Sequence, residues 1–258
     1  MDSIFFKDQG KGFPIVLLHG FCETHQIWDG LAEQLAKDFR VITLDLPGFG
    51  QSQLPPQPFT IDDIGDQLIG WLSKLKINKP AIIGHSLGGY VALAIAQKDR
   101  GLLSGLGLFH STAFADSEEK KLNRDKTIDF VEKFGVPPFV ETFVPGLFYQ
   151  KDNPSMRFVR DMALTTPLET LTSYSKAMRD RPSREEFLRN YRGNILVAAG
   201  IYDSIIPFSM SQQVSVLAPN TMFCPLENTG HMGMFESQTD SLNSFIAFAS
   251  KCEKGLKV

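Results

Sequence analysis

Short runs of consecutive apolar residues punctuate the first half of the chain. Between them lie stretches whose apolar positions recur every three or four residues. Ile15–Leu18, Val41–Leu44, Ala81–Ile83 and Leu102–Phe109 are of the first kind, and such runs predict strands buried on both faces. Gln26–Lys37 sets Ile27, Leu31 and Leu35 at helical spacing. Thr60–Leu75 reads as a second helix, with Thr60 as its cap and Asp62 and Asp63 in the first turn, where negative charge suits the helix dipole. Tyr90–Gln97 reads as a third. Repeated strand–helix–strand units predict an α/β fold: a mostly parallel, doubly wound sheet with helices on both faces and right-handed crossovers.

The alternation breaks between about residues 111 and 190. DSEEKKLNRDKTIDFVEKFG, SMRFVRDMALTT and LETLTSYSKAMRDR carry helical, charged patterns, and no buried strand appears among them. Strands resume at Ile195–Ala199 and Thr221–Pro225, each followed by a helix. The pattern predicts a core domain made of residues 1–110 and 191–258, with a helical insertion, 111–190, between two strands of the same sheet. The insertion holds 13 Lys/Arg against 13 Asp/Glu, so it is electrically balanced, and it holds ten Phe/Tyr.

Composition narrows the class. Of 258 residues, 43% are apolar and 21% charged, enough to bury a core and to exclude wholesale disorder. A net charge of −3 with no basic block argues against phosphate-mediated nucleic-acid binding. Cys22, Cys224 and Cys252 are odd in number and lack zinc spacing, which argues against a disulfide-stapled secreted fold. Residues 1–12 carry Asp2, Lys7, Asp8 and Lys11 and no signal-peptide core. The least charged stretch, Pro80–Gln97, is broken by Gly84, His85, Ser86, Gly88 and Gly89 and reads as a strand turning into a helix, not a membrane span. The expectation is a soluble cytoplasmic protein, a monomer or small homo-oligomer, with no nucleic-acid or membrane partner. Phe is abundant, at 21 residues against 5 Tyr and 2 Trp. The surplus either fills the core or lines an apolar pocket.

Gly84-His85-Ser86-Leu87-Gly88 matches G-x-S-x-G, directly after a short apolar strand and directly before a helix. In that context a sharp turn lifts the serine hydroxyl above the sheet. Small flanking residues let strand and helix approach, and the helix N-terminus offers N–H groups to a developing oxyanion. The bland alternative is an ordinary Gly-rich turn. A serine nucleophile needs a base within hydrogen-bond reach. His231, in the turn Asn228-Thr229-Gly230-His231-Met232, has the best position of the five histidines. His19 reads as a structural turn residue and His25 as an exposed or capping residue at a helix start. The side chain of His85 points away from its neighbour Ser86, and His110 ends a strand where it could line a pocket. Asp203 is the only carboxylate in the loop after Ile195–Ala199, and the order Ser86, Asp203, His231 is that of one serine-hydrolase architecture among several. Asp45 is the rival strand-end carboxylate, with a structural loop role as the alternative.

The sequence resembles the α/β-hydrolases, with LLHGF, DLPGFGQS, GHSLGG, AAGIYDSIIP and NTGHM in order along essentially the whole chain. The resemblance implies an esterase-like enzyme with Ser86 as nucleophile, His231 as base and then acid, and Asp203 as the orienting acid. It also implies backbone N–H groups of Phe21 and Leu87 as oxyanion donors, with residues 111–190 as a variable cap over the site. It implies no metal and no organic cofactor. A serine nucleophile argues against epoxide hydrolases and haloalkane dehalogenases, which place Asp there. The frame is shared with menaquinone-pathway synthases and lyases, pimeloyl-ester hydrolases, perhydrolases and non-catalytic hormone receptors. The basic residue that would suit a polyanionic menaquinone precursor is replaced by Tyr90, so small, largely apolar carboxylic esters are the expected substrates. His110, Phe139, Phe143, Phe148 and Met232 are the expected pocket residues. Phe139, Phe143, Phe148 and Tyr149 fall in the aromatic-rich run FGVPPFVETFVPGLFYQ.

Overall fold

The computed structural model describes residues 4–256. Seven strands form one sheet: β1 (Phe6–Gln9), β2 (Pro14–Leu18), β3 (Arg40–Leu44), β4 (Ala81–His85), β5 (Gly105–Phe109), β6 (Asn194–Gly200) and β7 (Thr221–Leu226). Their order is β1-β3-β2-β4-β5-β6-β7, and every neighbouring pair is parallel except β1 with β3. The apolar runs become the parallel strands because alternate residues fill opposite faces. Val16, Leu18, Ile42, Leu44 and Ile82 join the core on one side with helices α2 (Ile61–Lys74) and α3 (Leu87–Lys98). Ile15, Leu17, Val41, Ala81 and Ile83 join the core on the other, with α1 (Asp29–Leu35) and α11 (Gln238–Leu256). A doubly wound α/β sheet is the result.

Two expectations change. The antiparallel edge strand β1 pairs Phe6–Gln9 with Leu44–Val41. A four-residue strand containing Lys7 and Asp8 has no apolar run to announce it. The helix expected over Gln26–Lys37 is a 3₁₀ turn (His25–Trp28) followed by α1. Thr60 does cap α2: its hydroxyl accepts from Asp63 N–H while Asp63 accepts from Thr60 N–H, a reciprocal box.

Between β5 and β6 lie α4 (Glu118–Phe134), α5 (Val136–Leu147), α6 (Ser155–Ala163), α7 (Leu168–Arg179) and α8 (Glu185–Arg189). α4 packs on α7, and α5 packs on α4 and α6. α7 is anchored to the loop after β3, where Tyr174 Oη donates to Pro47 O (2.8 Å) and Thr170 Oγ1 to Gly48 O (2.9 Å). α4 buries Ile128 and Val131 but exposes Leu122, Phe130 and Phe134. The remaining helices α9 (Phe208–Ser215) and α10 (Gly233–Glu236) flank β7. Among the described residues no helix is long and apolar enough to cross a membrane.

Candidate active site

Ser86 sits between β4 and α3 with φ 49° and ψ −113°, in the left-handed half of backbone space, which a non-glycine residue enters only under surrounding constraint. The constraint is close packing. A Cβ at Gly84 would collide with the backbone of Gly88 and Gly89, and one at Gly88 with that of Leu18 and His19. Ser86 N–H donates to Phe109 O (3.0 Å), and Ser111 Oγ donates to Ser86 O (2.8 Å), pinning the turn to β5 and the loop beyond it. Leu87 opens α3, so its N–H has no intrahelical acceptor.

The loops after β6 and β7 bring Asp203 and His231 together. His231 Nδ1 lies 2.7 Å from Asp203 Oδ2, and both residues are buried. Asp203 Oδ1 accepts from the N–H groups of Ile205 and Ile206, both at 2.9 Å. His110 Nδ1 approaches Oδ2 at 3.2 Å. Burial alone would raise the Asp203 pKa, but these two imidazoles and their hydrogen bonds outweigh it and hold the carboxyl far below the usual range. Burial drives the His110 pKa down to about 4, against the pull of Asp203. His110, Asp203 and His231 are also the described residues whose potential ligand atoms, all within 4.8 Å of one another, could hold a metal ion. Both imidazoles meet the same Asp203 oxygen.

A second buried pair lies beneath the first. Glu23 Oε2 accepts from Gly20 N–H (2.5 Å) and lies 2.9 Å from His85 Nδ1, while His85 Nε2 reaches His231 O at 2.9 Å. The loop carrying Phe21 is thereby tied to the residue before Ser86 and to the loop of His231. Burial opposes both charges, yet each partner stabilises the other, so the Glu23 pKa is lowered and that of His85 raised. The sequence places Glu23 three residues after the Gly of LLHGF, but a lone Glu in a loop carries no mark of burial. His25 is a correction. It is buried, not exposed, with its backbone N–H (2.8 Å) and Nδ1 (2.7 Å) on Asp45 Oδ1, while Asp45 Oδ2 accepts from Gln51 N–H. His19 is the structural turn residue expected, with Nε2 accepting from Leu46 N–H (2.8 Å).

A cavity of about 210 Å³ opens over Ser86 and His231, below the roughly 300–1,000 Å³ of drug-sized sites. Phe21, Tyr90, Phe143, Leu147, Met178, Ile205 and Ile206 give it apolar walls, and Lys120, Asn123, Arg124 and Thr127 of α4 a polar one. Of the expected pocket residues only Phe143 lines it. Phe139 stacks on Phe143 (centroids 4.9 Å apart) outside the wall. Phe148 and Met232 are fully buried in the core beside α11, and His110 sits behind Asp203. Phe148 follows Leu147, whose carbonyl accepts from His231 N–H (2.7 Å) and turns the chain inward at that point. Glu236 reinforces the turn, accepting from the N–H groups of Tyr149 (2.7 Å), Gln150 (3.0 Å) and Gly230 (2.8 Å).

Comparison with known proteins bears on the fold and the family. Residues 14–127 match the family model of the alpha/beta hydrolase fold. A thermophilic esterase from Thermogutta terrifontis is 30% identical and superposes with a TM-score of 0.92, over 98% of this chain and 94% of that one. The AB hydrolase superfamily protein YisY of Bacillus subtilis is 27% identical over 95% of this chain and 94% of its own. MenH from S. aureus, 23% identical with a TM-score of 0.89 over 98% of this chain and 100% of that one, shares the fold. A strand–Ser–helix turn over a buried His–Asp pair, the sheet order and these likenesses lead to one statement: the chain belongs to the α/β-hydrolase family.

Proposed function

We propose that the protein is a serine hydrolase of small carboxylic esters with largely apolar chains, working through an acyl-enzyme. The observation that carries this reading is the strained Ser86 at the start of α3, facing the same cavity as a His231 whose Nδ1 is fixed on Asp203. Asp203 holds the imidazole with Nδ1 protonated, which leaves Nε2 to act as base. Ser86 Oγ attacks the ester carbonyl as His231 takes its proton. The N–H groups of Phe21 and Leu87 stabilise the oxyanion, each worth on the order of 3 kcal/mol. His231 then protonates the leaving alcohol, and water repeats the sequence on the acyl group. The segment α4–α8 acts as the cap that bounds the substrate, and no metal or organic cofactor takes part.

The test is Ser86→Ala assayed on p-nitrophenyl butyrate, with circular dichroism as the fold control. Turnover drops by on the order of 10³-fold or more, because nucleophile and base act as a unit. Wild-type turnover in a folded variant rejects the reading. A menaquinone-type lyase or synthase is favoured by one feature, the cationic Lys120 and Arg124 on the cavity wall. Against it, Tyr90 stands after the glycines, where a basic residue would suit a polyanionic substrate. An acyl group trapped on Ser86 decides for the hydrolase.

A further inference from the structure

α4 runs against the usual rule that a helix turns its apolar stripe inward. Leu122, Phe130 and Phe134 face solvent, while Lys120, Asn123, Arg124 and Thr127 line the cavity over Ser86. These four stand at i, i+3, i+4 and i+7, one face of the helix over two turns. The rest of the lining is largely apolar, with Phe21, Phe143, Leu147, Ile205 and Ile206, and its polar members are Ser86, His231 and Glu23, which is paired with His85. A cavity with one apolar side and one cationic end fits a ligand of the same asymmetry.

Lys120 is the informative residue. It is half-buried, its Nζ donates to Ile205 O at 3.2 Å, and it forms no ion pair among the described residues. Arg124 commits its Nε to Asp116, and Asp116 also receives Arg181 Nη1 at 2.8 Å. Two guanidinium groups therefore share the Asp116 carboxylate, and Lys120 lies beside them without a carboxylate of its own. Burial lowers the Lys120 pKa, Asp116 opposes it, and the Arg181 and Arg124 guanidinium groups add to the lowering. An ammonium group partly stripped of water with only a neutral acceptor is costly until an anion joins it.

We propose that the Lys120–Asn123–Arg124–Thr127 face of α4 binds a free carboxylate at the far end of the ester substrate, so that the preferred substrates are monoanionic esters with an apolar middle. The inference rests on the hydrolase reading above. The carboxylate is a bystander. Ser86 Oγ bonds to the carbonyl carbon, the bond to the alcohol oxygen breaks, and the serine proton passes through His231 to that oxygen. Water then adds to the acyl carbon and restores Ser86, releasing the free acid.

The experiment compares matched pairs by kcat/KM. Monoethyl adipate against ethyl hexanoate places the carboxylate on the acyl side, and the butyrate ester of glycolate against ethyl butyrate places it on the alcohol side. The charged member of one pair is favoured by about tenfold or more, the scale of one hydrogen bond to a charged group. Lys120→Gln lowers that charged-to-neutral ratio about tenfold, chiefly through KM, and Lys120→Arg restores most of it. The ratio also falls with added salt in the wild type. A preference for the neutral member in both pairs, or a ratio unmoved in folded Lys120→Gln, overturns the inference. If Lys120→Gln does not fold, a wild-type ratio indifferent to salt overturns it. Hydrolysis of neutral esters alone removes this inference and leaves the hydrolase standing. No hydrolysis of any of the four, with Ser86 unlabelled by a fluorophosphonate, removes both.

Discussion

The two walls of the cavity follow opposite rules. On the wall built from strand ends, the buried charges are matched: Asp203 accepts from Ile205 and Ile206 and meets two imidazoles, and Glu23 meets Gly20 and His85. On the wall built from α4, Lys120 and Arg124 are only partly buried, and Lys120 holds one neutral acceptor. The first wall is set by backbone turns, and altering one partner strands another in a place without water. The second consists of side chains on a helix, and Lys120, which holds no carboxylate, can be altered there at little structural cost. Under the proposed function, chemistry sits on the wall that cannot vary and recognition on the wall that can.

The largest effect tests the first wall directly. Asp203→Asn lowers kcat by on the order of 10⁴-fold, by analogy with the same change in another serine hydrolase, because the amide stabilises the wrong tautomer. Asp45→Asn, by contrast, weakens the loop held through His25 and Gln51 and shows in denaturant unfolding. Should Asp45→Asn abolish turnover in a well-folded protein, the two carboxylates must exchange roles.

Next comes Glu23→Gln. It leaves the His85 imidazolium buried without its counter-charge, a loss of about 3–5 kcal/mol readable in urea unfolding at neutral pH. An unchanged midpoint would place the wall's rigidity elsewhere. A somewhat smaller effect appears on acidification. His110 has a folded pKa of about 4, below the 6.5 of a free histidine. The unfolded chain therefore takes up a proton first, and stability present above pH 6.5 is lost as the pH falls toward 4, by about 3 kcal/mol from this group. His110→Asn flattens that limb of the pH–stability curve. An equally steep limb in the variant would assign it to His19, whose pKa burial also lowers, since the lowered pKa values of Glu23 and Asp203 act in the same direction only at lower pH.

The smallest effect concerns the apolar side. Each buried CH₂ is worth about 0.8 kcal/mol, so lengthening an acyl chain by two carbons raises kcat/KM roughly tenfold until the cavity is full. Phe143→Ala shifts that profile. A flat profile from acetate to octanoate, unmoved by Phe143→Ala, would show that the apolar wall selects nothing.

Much of this architecture is legible from periodicity and turn chemistry. The parallel strands announce themselves because residues buried on both faces must be apolar throughout, and Thr60 and Asp63 announce the start of α2 by their spacing. G-x-S-x-G is legible because only a strand–turn–helix with no room for a Cβ requires it. The residues that sequence reasoning misplaces share one trait: their role depends on what lies opposite. Phe143 and Phe148 look alike in FGVPPFVETFVPGLFYQ, yet one meets the cavity and the other the core. Glu23 and His25 become buried partners only once distant loops converge. The K-x-x-N-R-x-x-T stripe of α4 reads as a solvated face until the cavity is seen beneath it. Apolarity along a chain reports burial, but neither a partner nor a void.

Glu236 has a mechanical consequence. One carboxylate clamps Tyr149 and Gln150, just past the end of α5, to Gly230, the residue before His231, and Leu147 O holds His231 N–H beside it. The end of α5 and His231, the proposed general base, are therefore coupled through one carboxylate. If the helical segment swings outward to admit substrate, this clamp is its fulcrum and the α4 side its free arm. A change at Glu236 would loosen the fulcrum and disturb the aim of His231 without touching substrate.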